Sequence, residues 1–432
     1  MKKFNTSPIS GTQELLPNLQ AEFDRLKAAI EQTYAEHGFQ HIETPMIERT
    51  EVLLAKAGGD TEKQIYKVVK TAETASEADQ ALRFDHTVPL ARYVVEHMND
   101  LAFPFKVSQV ARNFRGERAQ KGRFREFYQC DVDVIGWQQL PIAYDADVVS
   151  TLTDALKVLP LEHFVVRVSN RKILSGLLEF LELSNLASEV FEIIDHAEKV
   201  PESATIAALN NLGISETAVQ KLSDFTKIQG NLSVVVPALQ NLRIENETFR
   251  AGLSELSEVL TLLSAQNDQR VQVIADMLIV RGLDYYTGTV FETISPEHRE
   301  FGSLCSGGRY ENLAQNYTDQ ALPGVGGSIG LTRIFAALCD GDLVQDAQTK
   351  PVDYCILPIT TKEYLTAETV AEKLRKEYYK VDVVLTDKKL GDKIKYASKV
   401  AQYMIIIGED EVRTQKFSAK NLETGEQQEL SL

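Results

Sequence analysis

Residues 104–136, PFKVSQVARNFRGERAQKGRFREFYQCDVDVIG, contain two runs typical of β-strands, 104–114 and 125–136, joined by a charged segment. Successive strands joined by a loop favour antiparallel pairing. Side chains alternate between the two faces of a strand, so one face of the second run has a cation, an aromatic ring, an amide and two acids. These residues are Arg125, Phe127, Gln129, Asp131 and Asp133. Such a face suits a ligand with a phosphate, a base and a charged amine, and an ordinary half-exposed strand is the alternative interpretation.

The segment that joins the two runs is strongly basic. Guanidinium groups bind phosphate oxygens two at a time, and the glycines at positions 116 and 122 would let the loop pass close to a ligand. A solvated hairpin tip is the alternative interpretation. The fourteen residues 112–125, which include this segment and the adjoining ends of both runs, contain the cations Arg112, Arg115, Arg118, Lys121, Arg123 and Arg125.

The rest of the chain differs in pattern from region to region. Residues 170–270 have apolar residues at helical spacing, which predicts a run of helices. Further along, short apolar runs alternate with helical segments, a pattern typical of a small α/β domain with a largely parallel sheet. We therefore predict an α+β core with a mixed, mainly antiparallel sheet in two parts, 1–168 and 269–342. A helical insertion, 169–268, divides these parts, and an α/β domain occupies 350–432.

The composition argues against several classes of protein. The 432 residues carry a formal net charge of −16, which is unusual for a nucleic-acid-binding protein, although the segments 106–125 and 387–399 are basic. Solvated surfaces are the alternative interpretation of both segments. No apolar run approaches the ~20 residues that cross a bilayer, and none follows the two lysines at the start, so neither a membrane span nor a signal peptide is expected. The four widely spaced cysteines suit a reducing cytosol, so we expect a soluble cytoplasmic protein.

The segment FRGERAQKGRFREFYQ, residues 114–129, closely resembles the second signature motif of class II aminoacyl-tRNA synthetases, in the form found in histidyl enzymes. The resemblance implies that Arg115 binds the α-phosphate of ATP, that Phe127 stacks on the adenine and that Arg123 reaches the terminal phosphates. One departure is Ala119, where many members have proline.

Two later segments resemble the histidine-specific signatures of the same family, RGLDYYTGTVFE at 281–292 and SLCSGGRYENL at 303–313. The resemblance implies that Arg281 is the catalytic arginine, between the histidine carboxylate and the α-phosphate. It also implies that Tyr286 and Asp133 hold the imidazole from opposite sides of the pocket. A hydrogen-bond acceptor there would reject amino acids that lack the matching N–H group. Asp133 is the shorter acid where many bacterial members have glutamate.

Three other segments resemble family elements. RFDHTVPLAR, residues 83–92, resembles the segment that binds the substrate amine, although Thr87 could instead cap a helix. GVGGSIGLTRI, residues 324–334, resembles the third class II motif rather than a dinucleotide loop, because no βαβ unit follows it. Thr332 in this motif replaces a residue that is often acidic in relatives. ETPMIERTEVL, residues 43–53, resembles the first motif, which is usually a dimer-interface element.

The resemblance implies a set of residues for each ligand. The catalytic residues would be Arg281, Arg115 and Gln129. Histidine would contact Asp85, Thr87, Arg115, Gln129, Asp133, Arg281, Tyr285, Tyr286 and Tyr310. ATP would contact Arg115, Glu117, Arg123, Phe127 and Arg333. The tRNA would contact Arg118, Gln120, Lys121, Lys393 and Lys395. Mg²⁺ would be held largely by the phosphates, and no metal bound by the protein itself is expected, because the histidines show no ligand spacing such as HExxH.

A family member of this kind would join histidine to ATP, release pyrophosphate and pass the histidine to the 3′ end of tRNA(His), as a homodimer. KLGDKIKYASKVAQYMIIIGEDEV, residues 389–412, resembles the family's anticodon-binding module. Two alternatives remain open. One is the regulatory subunit of ATP phosphoribosyltransferase, an inactive relative that typically lacks this module. The other is a tRNA-sensing pseudo-enzyme of the kind fused to kinases, although this chain has no kinase segment.

Overall fold

The computed structural model describes residues 4–55, 60–72, 78–265, 268–280, 285–344 and 350–430. The chain divides into two compact units. The first consists of Met1–Leu15 and Gln20–Val344, and the second of Leu16–Leu19 and Gln345–Leu432. Over the described ranges, no helix combines the length and the apolar character that a membrane span requires.

A large sheet forms the centre of the first unit. Its strands are β1 (Gln40–His41), β5 (Phe105–Phe114), β6 (Glu126–Ile135), β7 (Phe164–Asn170), β8 (Gln229–Gly230), β9 (Val271–Asp276), β10 (Thr289–Ile294), β11 (Cys305–Tyr310) and β12 (Gly324–Ile329). Their order is β1-β5-β6-β12-β11-β10-β7-β9-β8. Only the β1–β5 and β7–β9 pairs among these described strands are parallel. A separate small antiparallel sheet has the order β2-β4-β3, formed by β2 (Ile47–Arg49), β3 (Lys67–Val68) and β4 (Gln80–Leu82). The predicted mixed, mainly antiparallel sheet is therefore confirmed.

The two predicted strands around the basic segment form the β5–β6 pair. Their antiparallel register runs from Phe105 opposite Ile135 to Phe114 opposite Glu126. The exposure of β6 changes along its length. It is half-buried from Glu126 to Gln129 and fully buried from Cys130 to Ile135. Solvent therefore reaches the first half of this strand more than the second half.

The first unit also contains α-helices. They are α1 (Pro17–Glu36), α2 (Thr50–Leu54), α3 (Asp60–Lys63), α4 (Thr87–His97), α5 (Ala143–Lys157), α6 (Arg171–Phe180), α7 (Ala187–His196), α8 (Glu202–Asn211), α9 (Glu216–Thr226), α10 (Leu232–Asn241), α11 (Glu247–Leu263) and α12 (Leu331–Asp340). The predicted helical stretch corresponds to α6–α11, which also includes the short strand β8. Gly176 lets α6 and α11 pack closely, because a Cβ atom at this position would lie 2.3 Å from the backbone nitrogen of Phe249.

The second unit has an α/β pattern. Its elements are β13 (Val352–Pro358), α13 (Tyr364–Lys376), β14 (Val381–Val383), α14 (Leu390–Val400), β15 (Ala401–Ile407), α15 (Glu409–Thr414), β16 (Phe417–Asn421) and β17 (Gln427–Leu430). The sheet order is β14-β13-β15-β16-β17. The pairs among β14, β13 and β15 are parallel, as predicted. The last two strands pair antiparallel, and the sequence pattern did not predict them.

Candidate active site

An open cleft in the first unit lies over the ends of β6, β11 and β12. Its empty volume is about 870 Å³, including the solvent at its mouth. Ten of the residues predicted from the sequence line it. They are Asp85, Thr87, Arg115, Glu117, Arg123, Phe127, Gln129, Tyr285, Tyr286 and Arg333. Residues from distant parts of the chain therefore meet at one cleft.

Three arginines converge at one end of this cleft. Arg333 Nε donates to the carbonyl of Gly122 at 2.8 Å, and its Nη1 donates to the carbonyl of Ser303 at 2.5 Å. Burial lowers the pKa of Arg333, and the nearby charges of Arg123 and Arg115 lower it further. Like charges held this close repel one another, so this end of the cleft is suited to bind an anion.

Arg115 and Phe127 lie side by side in the cleft. Arg115 Nε donates to the carbonyl of Phe84 at 3.1 Å, and its guanidinium carbon lies 5.3 Å from the centre of the Phe127 ring. This contact is a cation–π interaction. A guanidinium group and a half-buried aromatic ring therefore lie together in the lining of the cleft.

The amide of Gln129 has a fixed orientation. Its Oε1 accepts from Nδ2 of Asn113 at 2.7 Å, and its Nε2 donates to Oγ of Ser328 at 2.7 Å. Both partners come from strands that flank β6, so the backbone ladder determines where this amide lies. A side chain held from two sides loses little conformational freedom when it binds a ligand.

Asp85 is a buried acid of the cleft, with 3% of its surface exposed. Its Oδ1 accepts from the backbone N–H of Val88 at 3.1 Å, and its Oδ2 accepts from the Tyr285 hydroxyl at 3.3 Å. Burial raises the pKa of Asp85 to about 6, against the opposing effects of the Val88 hydrogen bond and the Arg115 charge. The alternative that Thr87 caps the helix is wrong, because α4 begins at Thr87 and Asp85 supplies the capping oxygen.

Asp133 and Tyr310 are not among the residues that line the cleft. The Tyr310 hydroxyl donates to Asp133 Oδ1 at 2.8 Å, and each residue is 2% exposed. Burial raises the pKa of Asp133 well above its ordinary value. A Cβ atom at position 326 would lie 2.0 Å from Asp133 Oδ1, so glycine is required there. The predicted contact between Asp133 and the imidazole stays a prediction.

Asp131 is a cleft residue that the sequence pattern placed on the candidate binding face of β6, although it was not assigned to any one ligand. It lines the cleft, is 4% exposed and places Oδ2 at 3.0 Å from His86 Nδ1. Within the described ranges its Oδ1 has no hydrogen-bond partner. The period-two pattern of β6 indicated this position, since Asp131 falls on the same face as Phe127 and Gln129.

The predicted catalytic arginine, Arg281, lies outside the described residues, as do its neighbours to position 284. The chain resumes at Tyr285, whose ring packs edge-on against that of Tyr286 with ring centres 5.0 Å apart. Both tyrosines line the cleft, so the predicted histidine-specific segment reaches the site.

The residues predicted to contact tRNA fall into two groups. Arg118, Gln120, Lys121 and Lys395 are exposed, and Lys121 Nζ pairs with Asp340 Oδ2 at 2.9 Å. Lys393 is different, because it is 1% exposed and donates to the Pro358 carbonyl at 2.7 Å. Its assignment to a phosphate contact is wrong, and so is the solvated-face alternative for this residue.

Comparison with known proteins covers nearly the whole chain. The family model described as Histidyl-tRNA synthetase matches residues 11–334, and the one described as Anticodon binding domain matches residues 353–432. A curated relative from Clostridium tetani, named Histidine--tRNA ligase, is 44% identical over 437 residues, which span 100% of this chain and 98% of the relative. A relative of the same name from Finegoldia magna is 41% identical and covers 99% of this chain and 97% of its own.

Solved structures agree with these matches. The histidyl-tRNA synthetase from Nostoc sp. PCC 7120 has a TM-score of 0.83 and 38% identity, covering 99% of this chain and 97% of its own. A structure from Bacillus halodurans, described as an ATP phosphoribosyltransferase regulatory subunit/histidyl-tRNA synthetase, has a TM-score of 0.78. Its identity is 21%, with 94% of this chain and 99% of its own covered, so it shows the fold alone. Full-length matches and motif positions agree, and the chain belongs to the histidyl-tRNA synthetase family of class II aminoacyl-tRNA synthetases, ATP-dependent ligases that charge tRNA(His) with histidine in two steps.

Proposed function

We propose that the cleft over β6 activates L-histidine with ATP to give histidyl-adenylate and pyrophosphate, and then passes the histidine to the 3′ end of tRNA(His). The proposal rests on the set of residues that line one cleft. Three arginines and an aromatic ring lie with a buried carboxylate, a fixed amide and two tyrosines. An anion-binding group beside an amine-binding group is what a site needs to join an amino acid to a nucleotide.

The first step needs no covalent residue, because the carboxylate of the substrate is the nucleophile. The site must bring this carboxylate to the α-phosphate, although both are anions, and must stabilise the charge that develops there. Arg115 is the described residue that we assign to this task, and its Nε bond to the Phe84 carbonyl fixes its direction. We assign the matching role on the histidine side to Arg281, on the motif resemblance alone.

We propose that the α-ammonium group of histidine binds at Asp85 and Thr87. Both line the cleft, and the carboxylate of Asp85 is held by Val88 and Tyr285. An ammonium group donates up to three hydrogen bonds, and a buried carboxylate is a strong acceptor for it. The pKa of about 6 leaves this carboxylate ionised at neutral pH, ready to accept.

We assign the imidazole to the region of Tyr286, Gln129 and the acids of β6. As the resemblance implies, Asp133 would hold the imidazole from the side opposite Tyr286. The Tyr310 hydroxyl donates to this carboxylate. Asp131 adds a second carboxylate, and its free Oδ1 atom can accept an N–H from a ligand. Acceptors for imidazole N–H groups would discriminate against amino acids that cannot donate at this position.

ATP would lie with its adenine between Phe127 and Arg333 and with its terminal phosphates near Arg123. We expect Mg²⁺ to accompany it. Glu117 lines the cleft with its Oε2 at 3.5 Å from Arg123 Nη1, so an acid is already present among these cations. This sparse set of protein oxygens fits an ion that the phosphates hold for the most part. The ion would supply charge neutralisation for the leaving pyrophosphate.

We extend the proposal to the domains of the chain, its assembly and its location. Residues 1–168 and 269–342 would form the catalytic core, 169–268 the insertion and 350–432 the anticodon-binding domain. Exposed Arg118, Gln120, Lys121 and Lys395 would contact tRNA phosphates.

Met46 and Ile47, on the first-motif segment, are 45% and 48% exposed, which supports a homodimer through this element. Free cysteines at 130, 305, 339 and 355 support a reducing, cytoplasmic location.

The test is a charging assay with labelled histidine, ATP, Mg²⁺ and a tRNA(His) transcript. We expect histidine to become attached to the tRNA at a rate that Arg115→Ala lowers by at least ~10²-fold, as for the loss of one preorganised charge stabiliser. Arg25→Ala is the control, because this arginine is exposed on helix α1, pairs only with its helix neighbour Glu22 among the described residues, and is not among the residues that line the cleft. Folded protein that charges no tRNA would overturn the proposal. Binding of that protein to ATP phosphoribosyltransferase would then support the regulatory-subunit alternative.

A further inference from the structure

Strand β6 extends beyond the end of one of its two neighbours. On one side, its pairing with β5 continues to Glu126 opposite Phe114. On the other side, its pairing with β12 stops at Cys130 opposite Ile329, because the chain turns at Gly330 into helix α12. The backbone N–H groups of a strand alternate between its two neighbours, so the end of β12 removes a ladder partner from β6.

The Thr332 side chain takes the place of the missing strand. The backbone N–H of Tyr128 donates to Thr332 Oγ1 at 2.8 Å. Thr332 is 6% exposed and lies in the first turn of α12. This hydroxyl therefore completes the hydrogen bonding of β6 in the part of the strand that faces the cleft.

The two bonded residues are the neighbours of the two groups assigned to adenine. Phe127 precedes Tyr128, and Arg333 follows Thr332. We propose that the Tyr128–Thr332 hydrogen bond sets the distance between Phe127 and Arg333, so that Thr332 is a positioning residue for the adenine slot. This inference rests on the proposed function, because it takes the adenine to bind between these two side chains.

The effect should fall on ATP more than on histidine. Gln129 is fixed independently by Asn113 and Ser328. The side chain of Phe127 has no polar group to anchor it, and Arg115 lies over its ring face. Loosening β6 at Tyr128 therefore moves the ring of Phe127 while Gln129 stays in place.

The test is Thr332→Val, which keeps the shape of the side chain and removes the acceptor, with Thr332→Ser as the conservative variant. We expect Thr332→Val to raise the KM for ATP roughly tenfold in histidine-dependent ATP–pyrophosphate exchange, as for the loss of one hydrogen bond beside a buried group. The KM for histidine should change less than twofold, and Thr332→Ser should restore the KM for ATP. Thr153→Val is the matched control, because Thr153 is 2% exposed and its hydroxyl donates only within helix α5, to Val149.

A second measurement does not depend on activity. Hydrogen–deuterium exchange of a peptide that contains Tyr128 should be faster in Thr332→Val than in the unmodified protein, in the absence of ligands. Unchanged exchange in this peptide, or equal rises in KM for ATP and histidine, would overturn the role of Thr332. Absence of pyrophosphate exchange in the unmodified protein is a different result, because it would reject the proposed function itself.

Discussion

The substitution Asp85→Asn tests two effects of this carboxylate separately. One is its proposed binding of the histidine ammonium group, and the other is the stability that its burial costs the fold. The acid is 3% exposed, and burial is the main reason that its pKa is about 6 instead of its ordinary 3.8. Asparagine has nearly the same side-chain shape as aspartate and keeps an oxygen that can accept from the Val88 N–H. It carries no charge, so its burial lacks the desolvation cost of a carboxylate. The variant should therefore gain stability and lose affinity for histidine at the same time.

The effect on stability follows from the direction of the pKa. A carboxyl group with a raised pKa destabilises the fold while it is ionised, so its cost is fully present above about pH 6 and disappears as pH falls through 3.8. The difference between these pKa values corresponds to about 3 kcal/mol. We expect Asp85→Asn to raise the free energy of unfolding by about 1–3 kcal/mol at pH 7.5. The gain is smaller than the full burial cost because the amide nitrogen of the variant faces the Tyr285 hydroxyl in place of a carboxylate oxygen. Near pH 4 the two proteins should differ little.

The effect on histidine follows from the lost charge. A charge-assisted hydrogen bond contributes about 1.5–3 kcal/mol, so the KM for histidine should rise about 10- to 150-fold in ATP–pyrophosphate exchange, with little change in the KM for ATP. Between pH 7.5 and 5.5, kcat/KM for histidine should fall more steeply in the unmodified protein than in the variant. The titration of histidine itself is common to both proteins, so it cancels in this comparison.

Thermal unfolding at pH 7.5 and pH 4 provides the stability measurement, with Asp224→Asn as control, since Asp224 is exposed on α9. A variant that is less stable than the unmodified protein at pH 7.5 would contradict the burial cost. A KM for histidine that stays within twofold of the unmodified value would refute the assignment of Asp85 to the ammonium group.

Four further substitutions test other parts of the proposal. Arg281→Ala should slow adenylate formation by at least ~10²-fold in single-turnover assays, and near-normal rates would remove this residue from the catalytic set. Asp133→Ala should raise the KM for histidine far more than the KM for ATP, and equal rises would count against an imidazole contact. Lys393→Gln should lower the stability of the second unit by about 1–3 kcal/mol, because it removes a buried charged donor from the Pro358 carbonyl. Lys395→Gln should leave stability unchanged, weaken tRNA binding and make that binding less dependent on salt. A stability loss as large as that of Lys393→Gln would contradict this distinction between the two lysines.

The alternation of side chains along β6 was readable from the sequence, and it placed Phe127, Gln129 and Asp131 on the face that lines the cleft. The same rule failed to indicate the position of Asp133. From Cys130 onward both faces of the strand are buried, so alternation alone does not tell that Asp131 lines the cleft while Asp133, on the same face, does not. Burial of a strand on both faces depends on what packs over it, which a local pattern does not contain.

Lys393 and Thr332 show a similar limit. Lys393 and Ala397 are four residues apart on the buried face of α14, and the basic composition of the segment concealed that spacing. Thr332 acquires its role only because β12 ends at Ile329 while β6 continues, and strand ends are poorly indicated by sequence. Strands β16 and β17 were missed because they are short and polar and pair at the edge of the sheet.

The central claim is tested most directly by ATP–pyrophosphate exchange measured with each of the twenty amino acids in turn. Our proposal predicts exchange with histidine and none above background with the others, because the cleft combines an anion-binding end with acceptors suited to an imidazole. Exchange with several amino acids would contradict the proposed imidazole contacts. No exchange from folded protein would contradict the assignment of catalysis to this cleft.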